Sequence, residues 1–109
     1  MNPTEDDGMA MELFPTNLFE IDTSTFHPEK FQLIDIREDT ELQTEPLLNF
    51  KSLHMPLSAF KEKSLDPKAT YLFFCHRGKR SLNLVTYLRN KGWENVYSLS
   101  GGILALNRK

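Results

Sequence analysis

Apolar residues in this chain fall into short clusters separated by polar stretches, and the clusters follow two different periods. Phe31-Gln-Leu-Ile-Asp-Ile and Tyr71-Leu-Phe-Phe are compact, near-continuous runs, which predict strands buried on both faces over Phe31–Ile36 and Tyr71–Phe74. Asn95-Val-Tyr-Ser-Leu predicts a third core strand, Asn95–Leu99. Between the last two, Leu84, Val85 and Leu88 recur on one helical face, predicting a helix over Ser81–Lys91 with Gly92 placed to cap it. Weaker patterns predict an edge strand near Leu18–Ile21, a helical turn from Thr23-Ser-Thr and a short strand in Ser52–Met55. A helix-like Leu57–Leu65 should end at Asp66-Pro67, and a closing helix, Ile103–Asn107, should follow Gly101-Gly102. From Glu38 to Lys51 the pattern weakens, and Pro46 breaks any long helix. Strands alternating with helices predict an α/β domain: a small, mainly parallel sheet flanked by helices.

Composition narrows the function. A chain of 109 residues has room for one compact domain, here expected over 12–109 behind a flexible tail at 1–11. A net charge of −2 offers no basic face for nucleic acid. No apolar run approaches the ~20 residues needed to span a bilayer, and the polar, acidic start is unlike a signal peptide. The single cysteine excludes an internal disulfide and suits a reducing, cytoplasmic setting. No histidines or cysteines cluster, so neither a metal nor another cofactor is expected, and the domain is expected to be a monomer.

The chemistry concentrates in Tyr71-Leu-Phe-Phe-Cys-His-Arg-Gly-Lys-Arg-Ser. Cys75 ends a buried strand, and the loop after it carries Arg77, Lys79 and Arg80 with no carboxylate of its own. A thiol that meets backbone N–H groups and the positive end of a helix is stabilised as a thiolate. This is an anion-binding, nucleophilic arrangement. A lone cysteine in an apolar run is more often an inert core thiol, but this one stands at the strand end before three cations.

Four segments in order resemble the single-domain rhodanese family of persulfide-forming sulfurtransferases. Leu33-Ile-Asp-Ile-Arg-Glu is similar to its Asp-x-Arg-Glu strand end, and Met55-Pro-Leu-Ser to its Ile-Pro-Leu segment. Cys75-His-Arg-Gly-Lys-Arg-Ser resembles its Cys-x-x-Gly-x-Arg-Ser loop, and Gly92-Trp-Glu-Asn-Val-Tyr-Ser-Leu-Ser-Gly-Gly-Ile its closing strand and Gly-Gly turn. Two departures stand out. Glu45-Pro-Leu-Leu-Asn-Phe-Lys-Ser replaces a Gly-His-Ile-Pro-Gly-Ala segment on one flank of the site, and Leu106 replaces a closing Trp.

The resemblance implies a rhodanese-like three-layer α/β fold and a sulfane sulfur carried as a persulfide on Cys75. The donor would be thiosulfate or a related molecule, and the acceptor a thiol, a protein or cyanide. Cys75 is then the nucleophile, and His76, Arg77, Gly78, Lys79, Arg80 and Ser81 form the loop around it. Arg80 is expected to bind the donor or to support the loop, since a cation at a helix start suggests an anionic ligand. Arg77 and Lys79 carry the same argument or lie at the rim, and His76 is either a surface residue or a modulator of the thiol. Gly78 supplies a backbone angle, and Ser81 starts the helix with its hydroxyl on a free backbone group. Asp35 and Arg37 sit at a neighbouring strand end as supports, Asp35 through pairing with loop backbone, and His54 is structural. A sulfur carrier loaded by a cysteine desulfurase needs the same loop. Two other readings fit less well. A phosphatase of this fold places five residues between Cys and Arg, where His76 to Lys79 are four, and a non-catalytic binding module commonly loses the cysteine.

Overall fold

The structure, a computed structural model, describes residues 16–108; the expected tail at 1–11 lies outside the described residues. Five strands, β1 (Glu20–Ile21), β2 (Gln32–Asp35), β3 (Leu53–His54), β4 (Tyr71–Phe74) and β5 (Val96–Leu99), form one wholly parallel sheet in the order β1-β5-β4-β2-β3. The helices are α1 (Asp39–Thr44), α2 (Lys79–Asn90) and α3 (Gly102–Leu106). The three expected core strands are the three inner ones, with β4 at the centre and each of its residues buried.

Two-residue alternation sorts the core into two layers. Ile34, Ile36, Tyr71, Phe73, Cys75 and Val96 face the side where Leu84, Val85 and Leu88 of α2 pack. Leu33, Leu72, Phe74 and Leu99 face the opposite side, against Ile103 and Leu106 of α3 and Phe26. Each large apolar side chain taken fully from water contributes about 1.5–3 kcal/mol. That is why inner strands of a parallel sheet read as continuous apolar runs and not as alternating ones. Leu106, where the resemblance expected a Trp, is fully buried in the second layer.

α2 ends as the sequence suggests. Gly92 has φ +102°, its N–H donates to the Arg89 carbonyl at 3.0 Å, and Trp93 N–H donates to Leu88 at 3.1 Å. These two bonds satisfy carbonyls that the helix end would leave free.

Two local expectations need correction, and the stretch where the pattern weakened holds a short helix. A helix, α1, forms in the 38–51 stretch: Glu38 N–H donates to the Glu41 carboxylate at 3.0 Å, closing its first turn before Pro46. The Leu57–Leu65 segment is not a helix but two 3₁₀ turns, Leu57–Ala59 and Glu62–Ser64, separated by extended Phe60. α2 starts at Lys79, ahead of the predicted Ser81.

β4 connects through α2 to β5 on one side, while β2 connects through α1 to β3 on the other. The chain therefore diverges at the carboxyl ends of β2 and β4, and this is where an open parallel sheet forms a ligand crevice. Cys75 and Asp35 lie at those two strand ends.

Candidate active site

The early start of α2 creates the site. Gly78 adopts φ +105°, a left-handed angle that a side chain resists, and its carbonyl accepts the helical bond from Leu82 N–H at 3.1 Å. The first N–H groups of a helix have no partner within it. Here the loop folds them back onto Cys75: Gly78 N–H donates to Sγ at 3.2 Å, and the N–H groups of Ser81 and Arg80 also bear on the sulfur. Ser81 consequently lies inside the first turn and is not a cap. Its fully buried hydroxyl lies 3.1 Å from the Gly78 carbonyl, 3.6 Å from Cys75 Sγ and 2.7 Å from the Ser98 hydroxyl of β5.

The loop is clamped from the other side by α3. Ile103 N–H donates to the Cys75 carbonyl at 2.8 Å and Leu104 N–H to the His76 carbonyl at 3.4 Å. Beside the sulfur an open pocket of ≈370 Å³ is lined by Cys75, His76, Arg77, Lys79, Arg80 and Asn83.

The anion that Arg80 faces is the protein's own. Glu41 of α1 accepts from Arg80 Nη1 at 2.8 Å and from Nη2 at 2.7 Å, a bidentate pair. The Arg80 bonds hold the Glu41 carboxyl down at about 2, so it is ionised at neutral pH. Arg80 also interacts with the Cys75 sulfur, and its own pKa is raised, chiefly by Glu41. Arg77 and Lys79 are exposed and make no ion pair among the described residues. His76 Nε2 lies 3.4 Å from the Glu45 carboxylate.

Asp35 and Arg37 form a buried scaffold one strand away. Asp35 accepts from Arg37 Nε at 3.0 Å, Nη2 at 2.9 Å and the Arg37 backbone N–H at 3.0 Å. The same guanidinium donates to the carbonyls of Glu41 at 3.3 Å and Glu45 at 2.7 Å, fixing α1 beside the loop. Removing either partner of such a pair leaves a buried charge uncompensated, which costs about 3–5 kcal/mol. His54 ties in through Nε2, 2.7 Å from the Arg37 carbonyl, and does not reach the pocket lining. The variant flank at 45–50 is held by its own contacts. Asn107 donates to the Pro46 carbonyl at 3.0 Å and accepts from Leu48 N–H at 2.9 Å, while Leu47 and Phe50 pack into the core and Asn49 turns the chain at φ +64°.

Burial pushes the Cys75 thiol up, but the Ser81 N–H and hydroxyl and the N–H groups of Gly78 and Arg80 outweigh it, leaving the pKa below that of an ordinary thiol. Backbone N–H groups and one hydroxyl, more than the loop's cations, lower it. Alkylation by iodoacetamide should therefore rise with pH through an inflection below the free-thiol value of ~8.5 and level off above it. An inflection at or above that value would show that the sulfur is not activated.

Sequence reading missed Glu41 and Ser98. A glutamate three residues into a helix is a start signal, but it lay beside Glu38 and not behind the usual Ser, Thr, Asp or Asn. Ser98 showed only as one polar residue in an apolar strand. No group of three His, Cys, Asp or Glu side chains among the described residues could hold a metal. No helix among them is long and apolar enough to cross a membrane.

The profile of the rhodanese-like domain family matches residues 23–109, which span the buried strand-end thiol, its N–H cradle and four of the five strands. The chain belongs to the rhodanese-like domain family. It is 35% identical over 79 residues to the putative sulfurtransferase YtwF of Bacillus subtilis, covering 71% of this chain and 74% of that one. To the chloroplastic rhodanese-like/PpiC domain-containing protein 12 of Arabidopsis thaliana it is 32% identical over 87 residues, which is 74% of this chain but only 28% of that longer protein. The crystal structure of a rhodanese-related protein from Thermoplasma volcanium superposes with a TM-score of 0.69 at 27% identity, covering 82% of this chain and 90% of that one.

Proposed function

We propose that this protein is a sulfurtransferase that carries a sulfane sulfur as a persulfide on Cys75. The observation that carries the reading is the convergence of the Gly78, Arg80 and Ser81 N–H groups on a buried thiol that opens to a pocket. Such a cradle stabilises one anionic sulfur before the reaction and a second, one bond further out, after it. With thiosulfate, the Cys75 thiolate attacks the sulfane sulfur, the S–S bond breaks, and sulfite leaves with the bonding pair. A thiolate or cyanide then attacks the outer sulfur of the persulfide and returns Cys75 as thiolate. The sulfurtransferase description of YtwF supports the class of reaction.

The Arg80–Glu41 pair favours a second reading of the donor. With the guanidinium beside the sulfur tied to Glu41, a small dianion is left only the solvent-exposed Arg77 and Lys79 as unpaired cations of the pocket among the described residues, where water screens them. That suits a relay carrier loaded by a cysteine desulfurase, in a reducing compartment such as the cytoplasm where the single cysteine stays free. A phosphatase reading is weakened by the same pair, because Glu41, ionised above about pH 2, holds no proton for a leaving group at neutral pH.

Mass spectrometry of the intact protein tests the proposal. Incubation with thiosulfate, or with a desulfurase and cysteine, should add one sulfur, about 32 Da, that cyanide or a small thiol removes. No mass gain from either source would overturn it. Arg80→Ala should slow turnover roughly ten- to a hundredfold, the loss of a charge-assisted contact, yet still load sulfur because the backbone cradle remains. Steady-state rates beside the loaded fraction check this.

A further inference from the structure

We propose that Ser98 of β5 is a positioning residue for Cys75, its hydroxyl holding the Ser81 hydroxyl ready to donate to the sulfur. The inference rests on Cys75 acting as a thiolate. It concerns a buried polar group that the sulfur-transfer chemistry itself leaves unused.

Ser98 is fully buried, paired in the sheet with Phe73, and it faces α2 within an apolar layer. A hydroxyl there costs about 1–3 kcal/mol if unsatisfied. Its one side-chain partner among the described residues is Ser81 Oγ, at 2.7 Å. Ser81 Oγ in turn has three neighbours, Ser98 Oγ, the Gly78 carbonyl and Cys75 Sγ.

Proton accounting assigns the directions. A hydroxyl carries one proton and two acceptor sites, while the Gly78 carbonyl can only accept. When Cys75 is a thiol, its S–H donates to Ser81, Ser81 donates to Gly78, and Ser98 donates to Ser81. When Cys75 is a thiolate it can only accept, so the Ser81 proton turns to the sulfur. The Ser81 oxygen then has Ser98 as its donor. Ser98 donates in both states, and a hydroxyl that is accepting donates more strongly. Removing the Ser98 hydroxyl weakens the Ser81 donation to sulfur and leaves the Gly78 carbonyl as the competing acceptor.

The titratable and charged groups around the sulfur are His76, Arg77, Lys79 and Arg80 of its own loop, Glu41 and Glu45 from α1 and the residue after it, and the Asp35–Arg37 pair at the end of β2. Ser98→Ala leaves all of them in place, so a shifted titration reports the hydroxyl.

The test is the pH profile of iodoacetamide alkylation of Cys75, which needs no sulfur donor and so stands or falls separately from sulfur loading. Ser98→Ala should move the inflection up by half to one unit, lowering the rate at pH 7 about three- to tenfold while the high-pH plateau is kept. In a Ser81→Ala background the same substitution should shift nothing further. Ser98→Thr should keep the wild-type inflection, and Ser98→Val, matched in shape but without the hydroxyl, should show the shift; this pair decides the matter if Ser98→Ala does not fold. An unmoved inflection in the hydroxyl-free variants, or an equal shift with and without Ser81, would overturn the proposal.

Discussion

Cys75→Ser is expected to leave the fold intact and to reduce sulfur loading to background from every donor. Sulfur and oxygen differ little in size, and the buried side chain keeps its contacts with Ser81 and the Gly78 N–H. The chemistry does not survive, because a serine hydroxyl at neutral pH is neither ionised nor able to hold a transferable sulfane sulfur. Intact-mass measurement of the wild type and the variant after thiosulfate, and after a desulfurase with cysteine, reads the effect directly. Sulfur retained on the serine variant would mean that the transferable atom sits elsewhere, and the assignment of Cys75 would fail.

Gly102→Ala is expected to be the most damaging single-methyl change in the molecule. A β-carbon there would lie 2.5 Å from both the Cys75 and His76 carbonyl oxygens, which are backbone atoms and cannot swing aside. Its φ of +59° adds the cost of a left-handed angle for a residue with a side chain, about 1–2 kcal/mol. Overpacking adds about 1–3 kcal/mol more, for a total of about 2–5 kcal/mol. Each kcal/mol corresponds to roughly 4–8 °C in a domain of this size, so thermal melting should show the loss plainly. Gly92 is the control: its φ is also positive, but nothing lies within 4 Å of an added β-carbon, so only the backbone cost applies. Equal destabilisation by the two changes would show that the close approach of α3 to the nucleophile loop carries no weight. Surviving Gly102→Ala protein should also lose reactivity at Cys75, since the Ile103 and Leu104 N–H bonds that clamp the loop would be displaced.

These two predictions differ in how far they could be read from the chain. The position of Cys75 and its loop was legible because the signals are local: an apolar run ends at Cys75, Gly78 turns the backbone, and a helical pattern follows. The same holds for the inner strands, whose burial on both faces demands continuous apolar residues whatever surrounds them. The Gly101-Gly102 turn was visible too, but not that it touches the Cys75 carbonyl. That contact spans a whole strand-helix-strand unit and leaves no trace in residue spacing.

The electrostatics of the site lay further out of reach. Counted along the chain, the loop is a cluster of cations, and Arg80 asks for an external anion. In the fold Glu41, thirty-nine positions away, takes both of its donor arms. Arg37 is equally local in sequence and non-local in effect, since one buried guanidinium joins β2 to the carbonyls that end α1. α1 itself was hidden because a six-residue helix has too few turns to show a period and draws its stability from these tertiary bonds. Ser98 needed the sheet register and the placement of α2 before its hydroxyl could be matched to Ser81.

The sequence by itself determined the α/β architecture, the three inner strands, the principal helix and the place of the single cysteine at the end of the central strand. Each follows from periodicity, glycine conformation or side-chain chemistry within a dozen neighbouring residues. Only the tertiary structure decided which charges are free, which are spent on partners, and what surrounds the sulfur. Hydrogen bonds and ion pairs act over about 3 Å in space, and separation along the chain does not limit them.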